Sequence, residues 1–182
     1  MLSQFFCVMC EDADIRSFGS VSGRYFMGLV FRFLMYVFIG LSLEVIFSVT
    51  GLDLAMGKKV ERRKPKKYLE GFVSLFMIPV HGFGVLFLYE NMYFAVRDFH
   101  LIFRYLLWAV SFAAAEAAAG FIYDKLTGFY PWDYYETSGY KIFRRGYTLW
   151  TLMPLWGLYG LALEVFVRIF VYISPQLDSI LR

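Results

Sequence analysis

The sequence predicts an all-α fold: a polytopic membrane helix bundle of four transmembrane helices, built as two tandem two-helix repeats behind a short N-terminal interfacial segment. Three observations carry this. Of the 182 residues, 59% are hydrophobic, 21% are aromatic and only 18% are charged, and the mean hydropathy is +0.55. That apolar excess over an ordinary soluble domain points to lipid as the solvent. The apolar residues fall in four runs, each of the length, about 20 residues, that a helix needs to cross a bilayer. The runs also correspond in pairs. Arg32 and Glu44 recur as Arg104 and Glu116 at an offset of 72, and Gly71-x7-Pro79-x2-Gly82 recurs as Gly146-x7-Pro154-x2-Gly157 at an offset of 75.

Residues 1–24 form the N-terminal segment. Its apolar start is too short to span a bilayer, lacks the basic beginning of a secretory signal and runs into Glu11, Asp12 and Asp14. Cys7 and Cys10 make a C-x-x-C, but no thioredoxin-like context follows and no second Cys/His pair completes a zinc site, so they read as chance thiols. The membrane domain covers 25–173, with repeat 1 at about 25–97 and repeat 2 at about 98–173. Its spans run from Tyr25 to Val49, Gly71 to Ala95, Leu101 to Tyr123 and Gly146 to Ile173, and Ser174-Pro175 stops the last before a tail at 174–182.

Orientation follows from lysine and arginine in short loops. The first loop carries Lys58, Lys59, Arg62, Arg63, Lys64, Lys66 and Lys67, and the third carries Lys125, Lys141, Arg144 and Arg145. The opposite side has Arg16, Arg24, Arg97, Arg168 and Arg182 and no lysine. A cell-membrane location is expected, with both basic loops cytoplasmic and both termini outside. With the basic residues confined to loops beside apolar runs, the bilayer is the expected partner and nucleic acid is not.

A charge at membrane depth costs about 3 kcal/mol or more on insertion scales, so it faces the bundle and finds a partner. Depth predicts Arg32 near Glu90 and Arg104 near Glu164 as structural charge pairs. Glu44 and Glu116 lie twelve residues beyond those arginines, roughly 18 Å along a helix, and cannot reach them. They form, with His81, the candidate intramembrane polar site for a proton, a cation or a headgroup. The alternative for each carboxyl is a satisfied structural role, and for His81 a structural histidine, since a metal site needs three or four ligands. Pro79 and Pro154 are expected to kink their helices, with Gly82 and Gly157 allowing close approach beside the kink.

Pro131-Trp132-Asp133-Tyr134, with Ser74-Leu75-Phe76-Met77-Ile78-Pro79-Val80-His81-Gly82 and Trp156-Gly157-Leu158-x-Gly160, resembles the family called putative ABC-transporter type IV, which includes the transmembrane protein 229 group of animals. The likeness covers about residues 25–170. It implies transport and transfers no catalytic residue. The chain departs from the family pattern at Ile142-Phe143-Arg144-Arg145-Gly146, where an Asn or Asp is expected shortly before the glycine. Trp132 and Tyr134 suit interfacial anchors, and Asp133 a cap or a bridge to Arg144 or Arg145.

Three functions fit these features. A transporter-like or permease-type component is favoured by the repeat, the kinks and the buried charges. Four spans are few for a pathway, so a homodimer or a partner membrane subunit is expected. No G-x-x-x-x-G-K-[ST] occurs in the chain, so any ATPase is separate, and no cofactor is expected. A membrane-embedded enzyme acting on a lipid or isoprenoid, using Glu44, Glu116, His81 and Asp133, lacks any H-x4-D, H-E-x-x-H or G-x-S-x-G pattern and is less favoured. A structural or accessory membrane protein is the third reading.

Overall fold

The computed structural model describes residues 26–180, so Cys7, Cys10 and the N-terminal segment lie outside the described residues. Among those residues the chain is helical, with no strand and one isolated bridge between Lys141 and Leu149. Helix α1 is Phe26–Thr50 and a short helix α2 is Leu52–Met56. Helix α3 is a continuous coil over 77–96, made of Met77–Pro79, a π-helical stretch Val80–Tyr89 and Glu90–Val96. Helix α4 is Leu101–Thr127 and helix α5 is Met153–Ile180, the latter entered through a 3-10 turn Trp150–Leu152. Two further 3-10 turns, Lys66–Tyr68 and Asp133–Thr137, lie in the loops.

Three helical segments are long and apolar enough to cross a membrane: Phe26–Thr50, Leu101–Thr127 and Trp150–Leu177, with mean hydropathies of 2.0, 1.5 and 1.6. They are apolar on nearly every side, as expected of helices whose solvent is lipid. Phe38, Val110, Ile122 and Leu158 are among the many large side chains they leave exposed. Helix α5 packs on α4 and α1, α1 also packs on α3, and the Tyr89 and Trp108 rings, 4.3 Å apart, join α3 to α4. The four long elements therefore close a ring in the order α1, α3, α4, α5.

Two cores stack along this ring. One, at the end bearing the 97–100 turn, contains Tyr36, Tyr89, Tyr93, Trp108, Leu163 and Val167. The other, at the basic-loop end, contains Leu52, Met56, Tyr130, Trp132, Tyr135 and Leu149. The second core is built largely by loop residues, so the segment after α4 is a packed plug.

The helices start later than the apolar runs. Gly71 and Phe72 precede α3 and lie against the end of α1, where the Phe72 amide donates to Ser48 Oγ at 2.9 Å. Gly146 sits in a loop with φ +73°. Pro79 is consequently the third residue of its helix and Pro154 the second of its own. In a first turn the missing N–H has no intrahelical partner to lose, so neither proline is the mid-helix kink expected from the sequence. At its far end α5 continues through Pro175 to Ile180, and Ser174-Pro175 is not its stop. Proline costs the helix one backbone bond there, while Ser174 Oγ donates to the carbonyl of Phe170 at 2.6 Å and to that of Gly28 at 3.3 Å, fastening the segment to the start of α1.

Two left-handed glycines make a graded test. A Cβ on Gly146 would stand 2.6 Å from the backbone of Tyr135 and Glu136, whereas one on Gly128, at φ +78°, would meet nothing within 4 Å. Gly128→Ala is expected to cost about 1–2 kcal/mol, the left-handed strain alone. Gly146→Ala adds a clash with main chain that cannot yield, and thermal unfolding in detergent should show it as the far larger loss.

Candidate functional site

At the end of the bundle bearing the 97–100 turn, two carboxylates are bound in the same manner. Arg32 Nη1 donates to Glu90 Oε2 at 2.5 Å, and Tyr36 donates its hydroxyl to Glu90 Oε1 at 2.5 Å. Arg104 Nη1 donates to Glu164 Oε2 at 2.5 Å, and Trp108 Nε1 donates to Glu164 Oε1 at 2.8 Å. In each case arginine and aromatic donor are four residues apart on one helix, so both reach across to the same point. Glu90 and Glu164 are buried, with only 8% and 2% of their side chains exposed. Each arginine also buries an Nε that has no hydrogen-bond partner among the described residues. The arginines and glutamates were legible from depth in the sequence; Tyr36 and Trp108 were missed, although their i+4 spacing from an arginine was the available signal.

The π-helical stretch sets this register. Eleven positions separate Pro79 from Glu90, but ten separate Pro154 from Glu164. One surplus residue in an α-helix turns everything after it by about 100°. The wider coil of Val80–Tyr89 holds more residues per turn and absorbs the surplus. Glu90 therefore still faces Arg32.

Between the two cores lies a polar waist. Glu44 Oε1 is 2.9 Å from His81 Nε2, across from α1 to α3. Glu116 Oε2 on α4 accepts from Thr148 Oγ1 at 2.6 Å and from Trp156 Nε1 at 3.2 Å. The two glutamates are within electrostatic range of each other, on helices that face one another across the ring. His81 sits close against Gly40, where any Cβ would overlap the imidazole. It lies in the second turn of α3, because the helix starts only at Met77. Phe33 fills the space over Gly82 and Tyr105 that over Gly157, so these glycines admit aromatic rings rather than a backbone. Among the described residues no three His, Cys, Asp or Glu side chains gather as metal ligands.

The plug closes the waist from the basic-loop end. Trp132 is buried and donates Nε1 to the carbonyl of Tyr147 at 2.8 Å, so it is a packed strut and not an exposed interfacial ring. Burial first, and then the neighbouring Glu44 and Glu116 charges, push the Tyr134 phenol up. Burial first, and then Glu116, do the same for Tyr135. Both phenols stay protonated at neutral pH. Asp133 is exposed. Arg145 pairs with Asp124 at 2.5 Å and Glu136 at 3.7 Å instead of with Asp133, because Asp133 opens the 3-10 turn on its solvent side. Thr148, Trp156, Tyr134 and Tyr135 thus surround the carboxyls. Of these, the sequence singled out Tyr134 for a different role and Trp156 only as part of a motif.

The family model described as "Putative ABC-transporter type IV" matches residues 31–180. The chain belongs to that family. Its matched region contains both Arg–Glu pairs and the whole polar waist. No curated protein and no solved structure matches the chain. Family membership and the three apolar helices together describe a helical membrane protein of transporter-related type.

A double-mutant cycle tests the charge pairs. Arg104→Ala leaves Glu164 buried and unpaired and is expected to cost about 3–5 kcal/mol, whereas Arg104→Ala with Glu164→Ala recovers much of that loss. Strictly additive losses in thermal unfolding would mean that the pair does not carry the coupling.

Proposed function

We propose that the protein is a transporter-type membrane component that handles a proton or a small cation at the waist formed by Glu44, His81 and Glu116. The observation that carries this reading is a pair of carboxyls placed opposite each other between two packed cores, with an imidazole bonded to one of them. Ionisable groups at membrane depth are costly and mark ion pathways more often than they mark fold. Family membership supports the same reading.

In this proposal the chain crosses the bilayer four times as two tandem two-helix repeats. Helix α3 is the additional span: the length of 77–96 falls within the range of about 17–25 residues used by membrane-crossing helices, although its wider coil makes it shorter than a straight α-helix of that length, and Glu90 is its only Asp, Glu, Lys or Arg. The repeat reading draws support from contacts that recur at the sequence offsets. Arg32, Phe33, Tyr36 and Glu44 have Arg104, Tyr105, Trp108 and Glu116 as counterparts 72 positions on. His81-Gly82 has Trp156-Gly157 as its counterpart 75 positions on. Glu44 bonds His81 as Glu116 bonds Trp156, and Phe33 covers Gly82 as Tyr105 covers Gly157. Repeats so related share one orientation in the membrane. Both basic loops then face the cytoplasm of a cell membrane, and the waist lies towards that side. A second copy, or a partner membrane subunit, completes a pathway that four helices are few to enclose.

The two halves of the waist are chemically unequal. Glu44 is bonded by an ionisable side chain, His81, whereas Glu116 is bonded by a hydroxyl and an indole, Thr148 and Trp156. A purely architectural role is the second reading, and it is favoured by the fact that both carboxyls already have partners in the protein.

Proteoliposomes containing a pH-sensitive dye, with an imposed sodium or potassium gradient, test the proposal. Wild-type protein should dissipate the gradient, and Glu44→Gln and Glu116→Gln should each fall to the level of empty liposomes while keeping the wild-type melting temperature. Flux unchanged in both variants would overturn the site, and wild-type flux equal to that of empty liposomes would favour the architectural reading. For topology, single cysteines at Lys59 and Arg97, in a background with Cys7 and Cys10 replaced by serine, should label from opposite sides of sealed vesicles; labelling from one side would remove α3 as a span.

A further inference from the structure

The basic loop does more than carry charge. Asp53 on α2 fastens it: Oδ1 accepts from the Val60 amide at 3.1 Å and from Arg62 Nη1 at 2.7 Å. Arg62 continues into the end of α1, donating Nη2 to the carbonyl of Ser48 at 3.0 Å. The loop is thus tied directly to the last turn of a helix long and apolar enough to cross the membrane. Arg62 is engaged in this clamp, and Lys58, Lys59, Arg63 and Lys64 are exposed around it.

Two open grooves flank the clamp, sharing Asp53 and Lys59 as a common wall. One, of about 510 Å³, is lined by Lys59, Arg62, Arg63 and Lys64. The other, of about 520 Å³, is lined by Lys58, Lys59, Leu54 and Tyr140. Lys58, Lys59 and Arg63 are exposed, and Lys64 lies 3.8 Å from Glu70. Over 53–70 the chain carries seven lysines and arginines against three carboxylates, Asp53, Glu61 and Glu70. The apolar wall of the second groove is equally exposed: Leu54 is 83% accessible.

We propose that this surface is a binding site for an anionic phospholipid of the bilayer, with the headgroup phosphate between Lys58, Lys59 and Arg63 and the glycerol and upper acyl chain against Leu54. A free phosphate would use the cations and leave Leu54 without purpose. A lipid uses both, and the site's position, one short helix beyond the end of α1, places it at headgroup level. Clustered lysine and arginine immediately outside a membrane helix attract anionic headgroups, each at about a fivefold gain in affinity. The Asp53–Arg62 clamp fixes the loop before the lipid arrives, so little ordering is lost on binding. The proposal is independent of any transport activity.

The test uses the full-length protein reconstituted in phosphatidylcholine vesicles containing a minor fraction of phosphatidylglycerol, re-extracted in mild detergent, with the retained lipid measured by mass spectrometry. Wild-type protein should retain phosphatidylglycerol above its share in the vesicle. Lys58→Gln/Lys59→Gln/Arg63→Gln should lower that enrichment about tenfold or more, and Lys58→Arg/Lys59→Arg should preserve it. Lys125→Gln/Lys141→Gln, which removes two cations from the other basic loop, is the control and should change nothing. Asp53 and Arg62 remain in every variant, so the clamp is kept, and equal melting temperatures verify it. Enrichment unchanged in the triple variant, or lost equally in the control, would overturn the site. Release of the lipid by inorganic phosphate, but not by chloride at the same ionic strength, would assign the groove to a free anion and overturn the lipid proposal.

Discussion

A carboxylate inside a helix bundle in lipid has no water to turn to, and this constraint organises the molecule. Glu90 and Glu164 are each satisfied twice, by an arginine and by an aromatic donor one turn further along the same helix. Each assembly ties two helices together at a fixed height and rotation: α1 to α3, and α4 to α5. Apolar packing against lipid-like surroundings discriminates weakly between helix registers, because lipid tails compete equally well for apolar faces. Charge-assisted hydrogen bonds at one depth supply the discrimination. The ring of four helices and its two stacked cores follow from those two fastenings.

The waist obeys the same constraint with different chemistry. Glu44 and Glu116 lie too far from the arginines and are satisfied instead by imidazole, hydroxyl and indole. Their partners come partly from the helices and partly from the loop that turns back after α4. That loop contributes Tyr130, Trp132 and Tyr135 to a core and supplies Thr148 to Glu116. A segment rich in tyrosine, tryptophan and charge would be a solvated connection in a soluble protein. Here its aromatic rings fill the bundle's open end while Asp133, Glu136 and Arg145 face outward.

Much of the fold was legible in the sequence because lipid imposes coarse rules. Length and hydropathy located α1 and α4 closely, and depth alone matched Arg32 with Glu90 and Arg104 with Glu164. The helix starts of α3 and α5 were misplaced by several residues, since Gly71 to Phe76 is as apolar as the helix it precedes and Gly146 to Leu149 carries no charge to mark a boundary before α5. Hydropathy reports the environment of a residue and not its backbone geometry. Trp132 and Asp133 were misjudged because the sequence around them does not show that the loop folds inward, which depends on contacts with α2 some 80 positions away, such as Ser138 Oγ to the carbonyl of Met56. The partners of Glu116 were hidden for the same reason: Thr148 belongs to a loop and Trp156 to the following helix.

The widened coil in α3 has a consequence for how such chains can be compared. A residue added to a straight α-helix swings every later side chain to a new compass bearing, and a buried glutamate would be carried out of reach of its arginine. Spread over the ten residues of Val80–Tyr89, the addition changes the length of the thread without changing where its end points. Two stretches of chain can then keep equivalent contacts while their numbering slips by one, from 75 at Pro79 and Pro154 to 74 at Glu90 and Glu164. An ungapped match between them fails midway along the helix. The slip is a local change of gauge, and correspondence here is better traced by which atoms meet than by how far apart they stand in the sequence.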